Sequence, residues 1–204
     1  EWVSEGMEGK RMALDLEWKA FSKTRNDQKA SLFQIGTNER AVIIRYVEQD
    51  SLGTQHEVLR NFLLSHKFIG KGISCDLKKL SERFNADFST ILYDFEYMYL
   101  RRYDNCASFI RMIEIYAGTP TAMFKDKKVS TSNWNAPTLS YKQVLYSTFD
   151  VVGLYQSYIN AQIRYPDSES QYLNRKRADI ERKKERRRIR KINKSKKENE
   201  TRSK

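Results

Sequence analysis

The run Arg-Met-Ala-Leu-Asp-Leu-Glu-Trp at residues 11–18 alternates between apolar side chains and a second set that includes two carboxylates. A period of two is that of a β-strand, in which successive side chains point to opposite faces of the sheet. Asp15 and Glu17 therefore project from the same face. Because an unpaired charge is costly to bury, a central strand with two carboxylates needs a partner, and a divalent metal ion is the natural one. On an edge strand the same run would instead present a solvated acidic face.

Further short β-rich runs and helical patterns follow this strand along the chain. Strands are predicted at residues 30–35, 41–47, 68–73 and 91–93, and helices at 52–64, 76–84, 107–117 and 141–163. Strands that are followed by alternating strands and helices favour an α/β fold with a mixed sheet covered by helices. Residues 118–140 contain two prolines and many small polar residues, which predicts a long loop with at most a short helical turn.

The positive charge is concentrated at the C-terminal end of the chain. The formal net charge is +12, and residues 171–204 contain 16 basic and 5 acidic side chains, so the first 170 residues are nearly neutral. We therefore divide the chain into a folded body at residues 1–166 and a basic extension at residues 167–204 that is partly helical or disordered. Such an extension suits a polyanionic partner, although a solvated end, a nuclear-import signal or a docking segment for a protein partner would have the same composition. The candidate phosphate contacts are Arg175, Lys176, Arg177, Arg182 and Lys183.

Two classes of protein are disfavoured by simple features of the sequence. No apolar run approaches the ~18 residues that a membrane-spanning helix needs, and no signal peptide is visible. Cys75 and Cys106 lack the paired spacing of metal ligands, and a disulfide framework in a chain of this length would use more cysteines. We therefore expect two free thiols in a reducing compartment, with an intracellular location that is nuclear or cytoplasmic.

Two later features carry further candidate chemistry. Asp76 follows a predicted strand and begins a predicted helix, where helix capping is an equally good reason for an acidic residue. Tyr146 and Asp150 are four residues apart in a predicted helix and therefore share a face. A tyrosine hydroxyl beside a metal-bound carboxylate can orient an attacking water, whereas a packed tyrosine beside a surface aspartate is the ordinary alternative. Neither feature is specific when it is taken alone.

Together, in this order, the features resemble the DEDD superfamily of 3′→5′ exonucleases, in the subclass with a catalytic tyrosine. The closer likeness is to the ribonuclease D and Werner-syndrome exonuclease group of DnaQ-like proteins. Supporting motifs are Ala-Leu-Asp-Leu-Glu-Trp at 13–18, Ser-Leu-Phe-Gln-Ile at 31–35 and Ser-Asn-Trp at 132–134. The resemblance covers about residues 10–160 and leaves out the basic extension. It implies a ribonuclease H-like fold, with a mixed five-stranded sheet flanked by helices.

The resemblance also implies a reaction and a set of site residues. The chain would hydrolyse single-stranded RNA or DNA from a free 3′ end to nucleoside monophosphates. Both strands are substrates among similar proteins, and we predict RNA by a slight margin that the resemblance itself does not supply. Two Mg²⁺ or Mn²⁺ ions would assist this hydrolysis, and Tyr146 would help to position the water. The histidine subclass would need a histidine at the position of Leu145. The implied metal ligands are Asp15, Glu17, Asp76 and Asp150.

Other residues and interpretations are left open by the sequence. Trp18 and Phe33 are candidates to stack on terminal bases, although core packing would explain each of them equally well. Some relatives have an asparagine where this chain has Gly72, which puts one substrate contact in doubt but not the metal site. All four acids and the tyrosine are present, which favours an active metal-dependent exonuclease. The alternatives are a catalytically silent scaffold that binds nucleic acid or a protein partner, and an unrelated basic α/β binding domain.

Overall fold

Five short strands form one mixed sheet in the computed structural model, which describes residues 11–19, 29–46, 54–104, 108–119 and 126–202. The strand order is β3-β2-β1-β4-β5. β1, β2 and β3 are antiparallel neighbours, whereas β4 pairs parallel with both β1 and β5. This arrangement places β1 at the centre of the sheet. The strands are β1 Arg11–Glu17, β2 Leu32–Gly36, β3 Ala41–Arg45, β4 Lys67–Gly70 and β5 Leu92–Asp94.

Helices flank the sheet, as the sequence predicted. They are α1 Thr54–Ser65, α2 Ser74–Phe84, α3 Phe109–Tyr116, α4 Lys127–Ser130 and α5 Tyr141–Arg164. A π-helical segment, Glu96–Asp104, follows β5 in a region for which the sequence predicted no regular element. No helix in the described ranges is long and apolar enough to cross a membrane.

The two faces of the central strands pack against different material, because side chains alternate along a strand. One face carries Met12, Leu14 and Leu16 of β1, which join a core that also includes Leu63 of α1 and Leu80 of α2. Burial of these side chains is the main driving force for the fold.

The opposite face of the sheet is covered by α5. A Cβ atom at Gly36 of β2 would lie only 2.7 Å from Val151 Cγ2, so the glycine allows the helix to approach the strand closely. Leu32, on the same face of β2, packs with Trp134 and with Tyr146 of α5. Asp15 and Glu17 pair with Gln34 and Leu32 across the β1–β2 ladder, and directly paired residues share a face. Both carboxylates of β1 therefore lie on the side of the sheet that faces α5.

The end of strand β4 differs from the predicted one. We expected a strand to residue 73, but β4 ends at Gly70 and α2 begins at Ser74. Gly72, between them, has φ of +67°, a conformation that glycine adopts at little cost. The expected start of α1 at residue 52 and the end of β3 at residue 47 lie outside the described residues.

The chain forms two compact units, Glu1–Arg164 and Tyr165–Lys204. The second unit contains the helix α6, Ser168–Arg202, whose ion pairs between Lys184 and Glu181 (2.8 Å) and between Arg182 and Asp179 join residues three apart. Such spacing stabilises an isolated helix by a few tenths of a kcal/mol per pair. The functional division at residue 166 stays a prediction.

Candidate metal centre

Three carboxylates from two elements meet on the face of the sheet under α5. One ligand oxygen from each of Asp15, Glu17 and Asp150 lies within 4.8 Å of the other two. Asp15 and Glu17 are half-buried on β1, and Asp150 is 1% exposed on α5. Asp15 and Glu17 share a face because they are two residues apart on a strand. The packing of α5 across β1 and β2 brings Asp150 to them.

The chemistry of this donor set suits a divalent cation. Mg²⁺ takes oxygen ligands at about 2.0–2.1 Å, so oxygens on opposite sides of one ion lie about 4 Å apart. Neighbouring oxygens on the same ion lie about 3 Å apart, so the three carboxylates, whose oxygens are within 4.8 Å of one another, would draw closer around a bound ion. Three ionised carboxylates this close repel one another, and a bound cation would convert that repulsion into attraction. The residues therefore fit the expected metal, with Asp15, Glu17 and Asp150 able to hold it.

Asp76 lies in the first turn of α2, outside this group of three but close enough to interact electrostatically with Asp15. Burial, with the negative charges of Asp15 and Asp94 added to it, raises the pKa of Asp76 to about 8. In the metal-free protein at neutral pH, Asp76 is therefore mainly protonated. A cation that recruits this side chain must release its proton.

The raised pKa predicts how the stability of the metal-free protein changes with pH. The folded state holds a proton on Asp76 up to about pH 8, whereas the unfolded chain releases it near pH 3.8. The contribution of Asp76 to stability is therefore complete at low pH and declines as the pH rises toward 8, by up to about 1.4 kcal/mol per pH unit. Thermal unfolding in EDTA between pH 6 and 8 should show this decline in the wild type and a shallower one in Asp76→Asn. Equal slopes in the two proteins would contradict the raised pKa.

Tyr146 lies one helical turn before Asp150 and is buried in a small apolar cluster. Its ring centroid is 6.0 Å from that of Trp134. The loop that carries Trp134 is fastened to α5 by Gln143, whose amide nitrogen donates to Ser132 Oγ (3.0 Å) and to the Asn133 carbonyl (3.2 Å). These contacts tie the Ser-Asn-Trp motif at 132–134 to the helix that carries Tyr146 and Asp150.

The two candidate stacking residues differ in their surroundings. Phe33 is 0% exposed, and its ring packs against Tyr46 and Phe84 at centroid distances of 6.2 and 5.7 Å. Of the two interpretations that the sequence left open for Phe33, the structure has core packing, because this side chain belongs to the buried core cluster on its face of the sheet. Trp18 is half-buried just after β1, with Lys79 Nζ 4.4 Å from its ring centroid. A role for Trp18 in substrate binding stays a prediction.

The candidate phosphate contacts of the extension all lie on α6. Arg175, Arg177, Arg182 and Lys183 are exposed, and Lys176 Nζ lies 5.8 Å from the ring centroid of Tyr172. The exposed guanidinium and ammonium groups are accessible from solvent, and their role in binding phosphate stays a prediction.

One residue that the sequence did not single out holds the loop that leads to Asp76. Asp94, at the end of β5, is buried, and its carboxylate accepts backbone N–H groups of Gly72 (3.1 Å), Ile73 (3.4 Å) and Glu96 (2.9 Å). Gly72 and Ile73 belong to the loop between β4 and α2. Asp94 therefore holds the loop that leads into the first turn of α2. The only sequence signal was an acidic residue directly after a predicted strand.

Replacing Asp94 with alanine should destabilise the protein by about 2–4 kcal/mol, since three backbone donors lose a carboxylate acceptor. The measurement is chemical unfolding in EDTA. Asp87→Ala is the matched control, because Asp87 Oδ1 accepts the N–H of Ser89 (2.8 Å) at an exposed site, where water can replace the carboxylate. Equal destabilisation by the two substitutions would show that Asp94 does not hold the loop.

Comparisons with known proteins show the family to which the chain belongs. A model of the 3′-5′ exonuclease family matches residues 1–163. The chain therefore belongs to the 3′-5′ exonuclease family, which makes it a nuclease-type hydrolase domain with a metal-binding site. Comparison with curated proteins gave no significant match.

Solved structures share the fold at low sequence identity. The EXO domain of Aedes aegypti Nibbler is 17% identical with a TM-score of 0.61, over 74% of this chain and 77% of that one. Escherichia coli RNase D is 22% identical with a TM-score of 0.59, over 79% of this chain but only 42% of RNase D. Brucella melitensis NrnC is 17% identical with a TM-score of 0.58, over 79% of each chain. The expected ribonuclease H-like exonuclease fold is confirmed.

Proposed function

We propose that this chain is an active 3′→5′ exonuclease that removes nucleoside monophosphates one at a time from single-stranded nucleic acid. The observation that carries the proposal is the convergence of Asp15, Glu17 and Asp150 within 4.8 Å on the α5 face of the sheet. Gathering three carboxylates in this way costs free energy unless a cation is bound, because each one raises the free energy of its ionised neighbours. Membership of the 3′-5′ exonuclease family supports the same conclusion.

We further propose that Asp15, Glu17, Asp76 and Asp150 together hold two divalent ions, Mg²⁺ or Mn²⁺. The influence of Asp15 on the pKa of Asp76 supports a shared site. A structure of NrnC with bound Mg²⁺ is consistent with such a metal on this fold. When bound, two ions would activate the attacking water and stabilise the leaving 3′ oxygen.

The residues of the chain have distinct parts in this mechanism. The four acids hold the site together and do not themselves attack phosphorus. Tyr146, beside Asp150 on α5, orients the water through its hydroxyl group. Its burial against Trp134 fixes the ring, so that the hydroxyl is held in place before substrate arrives.

For the substrate we propose a single strand with a free 3′ end, with RNA slightly preferred over DNA. Two relatives of the fold support this choice, since RNase D is an exoribonuclease and NrnC has been seen with bound pGG. Trp18, half-buried after β1, is the remaining candidate for stacking on a terminal base, worth about 1–3 kcal/mol.

A digestion assay tests the proposal. Matched single-stranded RNA and DNA oligonucleotides, labelled at the 5′ end, are incubated with Mg²⁺, Mn²⁺ or EDTA. A ladder that shortens from the 3′ end only with metal is the expected result, and comparison of the two strands names the preferred one. Binding without any ladder under either metal would favour the silent scaffold instead.

The basic extension is proposed to add affinity for the substrate backbone. Changing Arg175, Lys176, Arg177, Arg182 and Lys183 together to glutamine should weaken binding of a long oligonucleotide. It should also reduce the salt dependence of log Kd by up to about 3.5, at about 0.7 per phosphate contact. A dinucleotide is an internal control, because it offers too few phosphates to engage several basic residues. An unchanged salt dependence with the long strand would show that the extension serves another partner, such as a protein.

A further inference from the structure

A buried amide lies beside the candidate metal centre with no explanation in the fold itself. Gln34, in the middle of β2, is 0% exposed. Among the residues that the structure describes, neither its amide nitrogen nor its carbonyl oxygen has a hydrogen-bond partner. Nearly all buried polar groups are hydrogen-bonded, and an unmet amide costs on the order of 1–3 kcal/mol. An uncompensated cost of this size in the central part of a sheet calls for a function.

The register of the sheet locates this amide. Gln34 pairs directly with Asp15 on one side and with Ile43 on the other, so all three side chains share a face. Ile43 offers no polar group. The polar side chain that pairs with Gln34 is therefore that of Asp15 on β1, which is one of the three clustered carboxylates.

The packing of α5 locates the amide along the helix. Leu32, two residues before Gln34 and on the same face, packs with Tyr146. Gly36, two residues after it, lies against Val151, since a Cβ atom at this glycine would be 2.7 Å from Val151 Cγ2. Gln34 therefore lies under the helical turn between Tyr146 and Val151, which is the turn that carries Asp150.

We propose that Gln34 is a positioning residue of the metal centre. Its amide N–H groups donate to a buried water molecule, which in turn donates to the carboxylates of Asp15 and Asp150. A buried water needs two to four polar partners, and an amide with two carboxylates meets that need. The water fixes the orientation of the carboxylates that hold the cation, as outer partners of metal ligands commonly do. This inference rests on the proposed function, because it requires that the cluster binds a metal ion.

The test is the substitution Gln34→Met, which keeps the length of the side chain and removes its polar atoms. Mn²⁺ binding to the purified full chain is measured by calorimetry, and Tm is measured in EDTA. We expect the Kd for Mn²⁺ to rise about ten- to a hundredfold. We expect Tm in EDTA to stay within a few degrees of the wild type, because the amide makes no hydrogen bond to another described residue and an apolar group of similar shape replaces it.

Ser157→Ala is the matched control for a buried polar group outside the site. The Ser157 hydroxyl is also buried with no partner among the described residues, but it lies seven residues beyond Asp150, about 10 Å along α5. Its removal should leave the Kd for Mn²⁺ unchanged. Gln34→Leu provides a second apolar replacement if the methionine variant does not fold.

The outcomes separate the two proposals. A wild-type chain that does not bind Mn²⁺, or an Asp15→Ala variant that binds it equally well, would defeat the proposed metal centre as a whole. Tight binding by the wild type and an equal Kd for the Gln34 variants would overturn only the role of Gln34. A large loss of Tm in EDTA with both apolar variants would also overturn that role, since it would make Gln34 a residue of the fold.

Discussion

Asp15→Ala is expected to reduce exonuclease turnover by about a thousandfold or more. The substitution removes one of three carboxylates within 4.8 Å and leaves Glu17 and Asp150 to hold the cation alone. Metal ions contribute several kcal/mol of charge stabilisation in the transition state, and about 4 kcal/mol corresponds to three orders of magnitude in rate. The measurement is kcat on a 5′-labelled single strand in Mg²⁺.

Because the charge of Asp15 helps to raise the pKa of Asp76, its removal should lower that pKa toward the ordinary range. Glu82→Ala is the control, since Glu82 is an exposed acid on α2 that pairs only loosely with Lys78, at 3.9 Å. Activity of Asp15→Ala within tenfold of the wild type would exclude Asp15 as an essential metal ligand.

Tyr146→Phe is expected to lower turnover by about a hundred- to ten-thousandfold while leaving metal affinity intact. Only the hydroxyl is lost, and groups that orient or exchange protons with a reacting water contribute on this scale. The phenyl ring keeps its packing against Trp134 and Leu32, so the fold should not change. The measurements are kcat in Mg²⁺ and the Kd for Mn²⁺.

Tyr141→Phe is the control for the loss of a tyrosine hydroxyl on the same helix. Tyr141 is 80% exposed in the first turn of α5 and belongs to no part of the proposed site. It should retain wild-type turnover. If Tyr146→Phe also retains it, the hydroxyl has no part in the reaction and the assignment to the tyrosine subclass fails.

Local patterns were sufficient to predict the centre of the sheet. The alternation over residues 11–18 predicted β1, and the structure contains it as Arg11–Glu17 with both carboxylates on one face. The spacing of Tyr146 and Asp150 predicted a shared helix face, and both residues lie on α5. These features could be predicted because the periods of strands and helices are set by the backbone and need no knowledge of distant contacts.

Exposure could not be predicted in the same way. Every residue of β2 is buried, because helices cover both faces of the sheet, so alternation does not tell which side chains face the site. Phe33 belongs to the core face and its neighbour Gln34 belongs to the face of the acids, yet both side chains are buried. The Ser-Leu-Phe-Gln-Ile motif at 31–35 contains both residues, but the motif alone does not show which of the two faces the acids.

Contacts between distant residues were also out of reach. Asp94 accepts from Gly72 and Ile73, which are 22 and 21 residues earlier in the chain. The pKa of Asp76, on α2, depends on burial and on the charges of Asp15 on β1 and Asp94 on β5. No local pattern encodes such contacts, because they arise from the order in which strands pair.

The sequence by itself determined the strand that carries Asp15 and Glu17, the helix that carries Tyr146 and Asp150, and the class of chemistry that these residue types allow. Only the tertiary structure decided that the two elements meet, that Phe33 is enclosed and that Gln34 is buried on the same face of the sheet as the carboxylates. The physical reason is that backbone periodicity orients side chains within one element, whereas the distance between elements depends on packing, such as the close approach of α5 to Gly36.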